Sequence, residues 1–199
     1  MENKNNSHGN SQWKSNLLVY VHDLVYFAAA ILVVFLLLFR IIVVSGDSMY
    51  NTLVNGDYLL LAGNLIYTKP EQGDIIVISK ASFDNGAPII KRVIATEGQV
   101  VDIDFEAGLV YVDGVVLEED YVYTPTNVFE GMQFPLTVSQ GCVFALGDNR
   151  NESKDSRSPQ IGQIDIREIL GKAVFLMIPA ADYRAGDTTP DFSRIGAIK

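Results

Sequence analysis

The stretch Arg40–Leu53, "RIIVVSGDSMYNTL", decides how the chain divides. An uncharged apolar run precedes it, short β-branched segments come after it, and at its centre Ser45-Gly46-Asp47-Ser48 forms a tight polar turn carrying a serine. Working N-terminally, Leu24–Phe39 reads "LVYFAAAILVVFLLLF", and the apolar character reaches back to Leu17 with His22 and Asp23 as interruptions. At 1.5 Å per residue, 17–39 has about the length of a helix crossing a hydrocarbon core of roughly 30 Å. We therefore expect a polar cytoplasmic N-terminus over 1–16, a single transmembrane anchor over 17–39 and a β-rich domain over 40–199. A cleaved signal sequence is the alternative. The run is long for one, however, and no small-x-small site followed by a polar start comes after it. Lys4 and Lys14 favour a cytoplasmic N-terminus, while Arg40 on the other flank can reach the headgroups, so charge gives only a small bias toward an outward domain.

Beyond Val44 the apolar period shortens to two. Tyr58–Ala62, Asp74–Ser79, Ile89–Ala95, Gln99–Asp104, Leu109–Val112, Val115–Glu118, Cys142–Leu146 and Lys172–Met177 are rich in Val, Ile, Tyr and Phe. Asp113-Gly114 is a two-residue hairpin signal, and Asn55-Gly56 and Asn85-Gly86 mark further turns. The fold class is mainly β, an antiparallel domain behind one membrane helix, with a short helix expected near Asp165–Leu170.

Composition narrows the chemistry. Of 15 basic and 24 acidic residues only Lys4, Lys14, Arg40, Glu2 and Asp23 precede Ser45, so the domain is acidic, which argues against a nucleic-acid partner. The single cysteine, Cys142, makes neither an intrachain disulfide nor a thiol metal cluster. Both histidines, His8 and His22, lie ahead of Ser48, which removes a Ser-His-Asp triad and a multi-histidine zinc site. No metal or cofactor is expected, and a base for any serine nucleophile must be a carboxylate or a lysine.

"PIIKRVIA", Pro88–Ala95, offers such a lysine. With two-residue alternation Ile89, Lys91 and Val93 share one face and Ile90, Arg92 and Ile94 the other, so one of the two cations must project among aliphatic side chains. Arginine stays charged in almost any surroundings, whereas a buried lysine can lose its proton. Lys91 is the candidate base; solvated charges on an edge strand are the competing reading of the same pair. A third stretch, "GDNRNESKDSR" over Gly147–Arg157, comes directly after the apolar strand "CVFAL". Counted from Asp148, Arg150 falls at the third position, where a calcium loop needs an oxygen ligand, which excludes one. Its hydroxyls and carboxylates suit it to orienting an amine, with Arg157 pairing internally.

In order, these stretches resemble the type I signal peptidases, membrane-anchored Ser-Lys proteases that remove leaders from exported proteins. The resemblance runs from the anchor to about Met177 and is closest to the Gram-positive branch. Ser45–Leu53 is similar to the family's nucleophile box, "GDIIVI" at Gly73–Ile78 to its next strand, "KRVI" at Lys91–Ile94 to its lysine box and "GDNRNESKDSR" to its last box. The resemblance implies that Ser48 is the nucleophile, Lys91 the general base, Ser153 the group orienting the lysine amine, and Asp155 with Arg157 the support of that loop. It implies an oxyanion donor at the Ser48 N–H. A second donor, a serine hydroxyl in some members, would fall at Gly46 and must come from elsewhere. Shallow pockets for small side chains are implied, and we expect them near Ile41, Ile42, Val43, Val44 and Met49. The partners implied are exported preproteins, through their signal peptides, and the lipid bilayer, with the catalytic domain on the extracytoplasmic side. Two departures touch turn geometry: Asn51 where the family usually has Pro, and "ATEGQ" at Ala95–Gln99 in place of Gly-Leu-Pro-Gly-Asp. Other readings stay open. A self-cleaving Ser-Lys repressor would lack the apolar run, a sortase-like enzyme would need a domain histidine, and an inactive tethered β domain would keep anchor and sheet but tolerate loss of Ser48.

Overall fold

A computed structural model describes residues 7–198. Residues 1–6 of the expected polar segment lie outside it, and from Ser7 the chain is already helical. The helix α1 spans Ser7–Leu38, and its Asn16–Leu38 portion is long and apolar enough, by length and composition, to cross a membrane. It ends one residue earlier than expected, because Phe39 opens a strand.

Residues 39–198 form the second unit. Its strands are β1 (Phe39–Val43), β2 (Tyr58–Gly63), β3 (Ile75–Ile78), β4 (Ile89–Thr96), β5 (Val100–Asp104), β6 (Leu109–Val112), β7 (Val115–Val116), β8 (Leu136–Thr137), β9 (Cys142–Leu146), β10 (Ile164–Asp165), β11 (Ile169–Ile178) and β12 (Gly196–Ala197). The larger sheet runs β1-β2-β11-β3-β4-β9-β10 with β12 on β11, and the smaller runs β7-β6-β5-β8; all pairings are antiparallel. The expected mainly antiparallel β class is what the chain adopts. Asp113 and Gly114 both take positive φ between β6 and β7, as a tight hairpin requires.

Three differences from the sequence-based expectation have physical causes. β1 is continuous in sequence with the apolar run and was not expected as a strand, yet Phe39–Val43 pairs with β2 in the register Phe39↔Ala62 to Val43↔Tyr58. An apolar segment that continues a helix carries no period of its own to separate it. The helix expected near Asp165–Leu170 is a single 3-10 turn, Ile166–Glu168, capped by Asp165 and Glu168, and the chain is extended from Ile169. The "ATEGQ" turn is closed by its own glutamine: Thr96 N–H donates to Gln99 Oε1 at 2.9 Å.

β3 explains how the core is layered. Its Ile75 and Val77 join a cluster with Met49, Leu53, Leu59, Leu61 and Ile90, while Ile76 and Ile78 join a second with Val93, Val143, Ala145 and Ile164. The sheet is thus covered on both faces where β3 meets β4. A third cluster, around Phe144, Val101 and Val110, joins β9 to the smaller sheet.

Candidate active site

β4 is an interior strand, paired with β3 on one side and β9 on the other, so the edge-strand reading of its two cations does not hold. Lys91 stands opposite Ile76, and Arg92 opposite Ile75 and Leu146. Alternation predicts one buried cation, but both are buried, Lys91 to 3% exposure and Arg92 to 2%. Their solutions differ. Arg92 donates through Nε and Nη2 to Asp148 at 2.9 and 2.7 Å, with its guanidinium 3.9 Å from the centre of the Tyr121 ring. Lys91 Nζ instead lies 2.8 Å from Ser48 Oγ, in a hydrogen bond. Burial pulls the Lys91 pKa from its ordinary value down to about 8, against the opposing pull of Asp155, Asp148 and Glu130.

Ser48 is placed by the turn after β1. Gly46 takes φ +84, a left-handed conformation natural to glycine, and its N–H donates to Asn55 Oδ1 at 3.0 Å. That N–H is committed and is not a second oxyanion donor. The Ser48 N–H meets no acceptor among the described residues, so it remains available to a developing oxyanion. The turn is fixed from the far loop: Asn149 N–H donates to Ser48 O at 3.0 Å and Asn149 Nδ2 to Asp47 O at 3.1 Å. Met49 and Leu53 anchor the turn in the core.

The loop over 147–157 is held by buried ion pairs. Arg157 grips Asp155 through Nε and Nη2, both at 2.8 Å, and also donates to the carbonyls of Arg150, Ser153 and Val128. Asp155 in turn accepts from Gly147 N–H at 3.1 Å. Arg150 pairs with Glu119 and donates to Thr126 Oγ1. Asp155 and Arg157 therefore sit as a clamp across the loop. Ser153 is buried beside them, but its Oγ has no hydrogen-bond partner, so the expected bond to the Lys91 amine is not formed here. Its Oγ packs instead against Gly147, where any Cβ would collide with both Ser153 Oγ and Ser48 O.

A cleft of about 440 Å³ opens beside the dyad, between residues 42–46 with Ser48 and Met49 on one wall and Asp84 with residues 87–91 on the other. Of the expected pocket residues the structure brings Ile42, Val43, Val44 and Met49 to this cleft, while Ile41 is exposed and lies off it. Sequence reasoning had no means of finding Asp84 or Ala87, which reach the cleft only through the pairing of distant strands. Asp148 lay inside the quoted "GDNR" run, but its pairing with Arg92 had no sequence signal.

The model of the family described as "Signal peptidase, peptidase S26" matches residues 17–178. A probable signal peptidase I-1 of Synechocystis is 38% identical over 69% of this chain and 70% of its own length. A signal peptidase I of Bacillus licheniformis is 28% identical over 87% of this chain and 95% of its own. Thylakoidal processing peptidase 1 of Arabidopsis thaliana is 32% identical over 89% of this chain, which spans about half of that longer relative (54%).

Proposed function

The chain belongs to the signal peptidase family, peptidase S26, and on that basis we propose that it cleaves signal peptides by a serine-lysine mechanism with Ser48 as nucleophile and Lys91 as general base. One observation carries the assignment: the buried Lys91 holds its Nζ 2.8 Å from Ser48 Oγ. Family membership makes the activity signal-peptide cleavage by a serine peptidase, a hydrolase. The residue roles rest on geometry.

The neutral Lys91 amine takes the Ser48 Oγ proton as that oxygen attacks the scissile carbonyl, and the Ser48 N–H receives the oxyanion. The Lys91 ammonium then gives its proton to the leaving amine, releasing the mature chain and leaving the leader as an ester on Ser48. Lys91, neutral again, deprotonates a water whose oxygen attacks the ester. The returned proton restores the Ser48 hydroxyl as the leader departs. Asp155 and Arg157 keep the 147–157 loop against the dyad, and Ser153 completes the wall behind it. The cleft accepts an extended segment between the end of β1 and the start of β4, with Val43 and Met49 shaping its floor for small side chains. The apolar Asn16–Leu38 helix is the single-pass anchor, the domain works on the extracytoplasmic side, and the partners are exported preproteins and the bilayer.

The test is incubation of the detergent-solubilised chain with a preprotein, comparing wild type with Ser48→Ala and reading the new N-terminus by mass spectrometry. A single cut after a small-x-small site, lost in Ser48→Ala, is expected. A folded wild type that cuts none of several leaders would instead favour an inactive tethered binding domain.

A further inference from the structure

Three carboxylates act on the Lys91 amine, and they are not equivalent. Asp155 is gripped at two points by Arg157, and Asp148 at two points by Arg92. Their pull on Lys91 falls in the order Asp155, Asp148, Glu130, but neither of the first two can be changed without stranding the buried guanidinium it holds. Glu130 is different. Its side chain is about nine-tenths buried, yet its cationic neighbours stand off, Arg157 Nη2 at 3.7 Å and Lys154 Nζ at 3.9 Å, and its Oε2 has no hydrogen-bond partner. Its position is fixed from both sides: Arg157 Nη1 donates to Val128 O, and Met132 N–H donates to Arg157 O. Glu130 also shares the wall of one surface hollow with Ser153, whose Oγ packs at Gly147 beside the Ser48 carbonyl.

We propose that Glu130 is a positioning residue of the dyad, a buried and incompletely paired carboxylate that sets how readily Lys91 gives up its proton and hence the pH at which Ser48 is activated. This rests on the serine-lysine reading above. The charged groups facing Lys91 are Asp155, Asp148 and Glu130, which favour the ammonium, and Arg157, which opposes it; those facing Glu130 are Asp155, Arg157, Lys154 and Lys91. Arg92, next in the strand, is turned to Asp148. Burial and Asp155 raise the pKa of Glu130 itself, as expected for a carboxylate whose partners do not fully compensate it. Removing its charge leaves burial less opposed at Lys91, so the neutral amine persists to lower pH.

The experiment measures kcat/KM of the full-length, detergent-solubilised enzyme on a signal-peptide substrate from about pH 6 to about pH 10. Wild type shows an acid limb near pH 8. Glu130→Gln moves that limb down by about 0.5–1 pH unit and raises the rate at pH 7 relative to the plateau several-fold, while Glu130→Asp restores the wild-type position. A purely structural role would lower the plateau and leave the limb in place. If Glu130→Gln does not fold, Glu130→Met serves: it removes the same charge without leaving an unpaired polar group in a buried site, and moves the limb down in the same way. A wild type without the limb overturns the lysine-base reading. A wild-type limb that neither variant shifts overturns the role of Glu130 alone.

Discussion

Lys91 is held in a state its own folding disfavours. The unfolded chain keeps the ordinary lysine pKa of 10.5, whereas the folded value is about 8, so between these values the unfolded state binds more protons and stability rises with pH. The penalty is complete below about pH 8 and fades toward 10.5. Lys91→Met should therefore abolish cleavage yet melt higher than wild type at pH 7, by roughly a few kcal/mol in stability, with the gap closing as pH approaches 10.5. Scanning calorimetry of both proteins at two pH values checks this; a less stable Met variant at neutral pH would contradict it. Gly147 poses the opposite problem, one of space. Its missing Cβ admits Ser153 Oγ and the Ser48 carbonyl to the same spot, so Gly147→Ala should lose about 1–3 kcal/mol and displace the nucleophile, cutting kcat/KM by at least tenfold. Lys91 was legible as a candidate base, because the domain holds no histidine and "PIIKRVIA" offers one cation that can become neutral, whereas Ser48 stood out from ordinary turn chemistry only through the motif resemblance. Glu130 was not legible, since nothing local distinguishes it from any other surface acid.

Among the elements, legibility tracked length and period. β2, β3, β4, β5, β6, β9 and β11 announced themselves by alternation or by apolar runs between turn residues, and the two-residue β7 by the Asp113-Gly114 turn ahead of it. β8, β10 and β12 are two residues each, too short to carry a period, and exist because neighbouring strands offer them edges. The 147–157 loop is an element of another kind, with no backbone ladder and a scaffold of ion pairs instead. Arg157 and Asp155 are both fully buried, so Arg157→Met leaves a carboxylate uncompensated and should cost about 3–5 kcal/mol in urea denaturation. Asp155→Asn with Arg157→Met should recover part of that loss, because the stranded charge is then gone. If the double variant were no better than the single one, the loop would not depend on this pair for its stability.

For the domain as a whole, the final segment closes back on the nucleophile turn. Arg194 donates to both oxygens of the buried Asp57 at 3.2 and 2.7 Å, Ala180 N–H donates to Asp57 Oδ1 at 2.8 Å, and β12 pairs with β11. Asp57 also accepts from Val54 N–H at 2.8 Å, which ties the same carboxylate to the chain just after Leu53. The motif resemblance ends near Met177 and assigns no role to the C-terminal segment that makes this closure. Arg194→Met should therefore lower the melting temperature, at about 1.5–3 kcal/mol for the lost charged hydrogen bonds, and reduce cleavage without moving its pH profile. An unchanged melting temperature would mean the closure is dispensable.

Local composition and spacing are enough to specify the class of this protein. An apolar run of membrane length and a period-two domain point to a mainly β domain following one apolar helix, and the lack of a domain histidine leaves a lysine or a carboxylate as base. The pairing of a serine with that lysine is implied by the family that the four ordered motifs resemble. Tertiary contacts alone put β4 inside the sheet and bury Arg92 as deeply as Lys91. They also leave Glu130 half-paired beside the clamp and bring the C-terminal segment to Asp57. Each of these depends on which strands and loops, far apart in sequence, come to share one face, and burial and charge compensation are properties of that meeting.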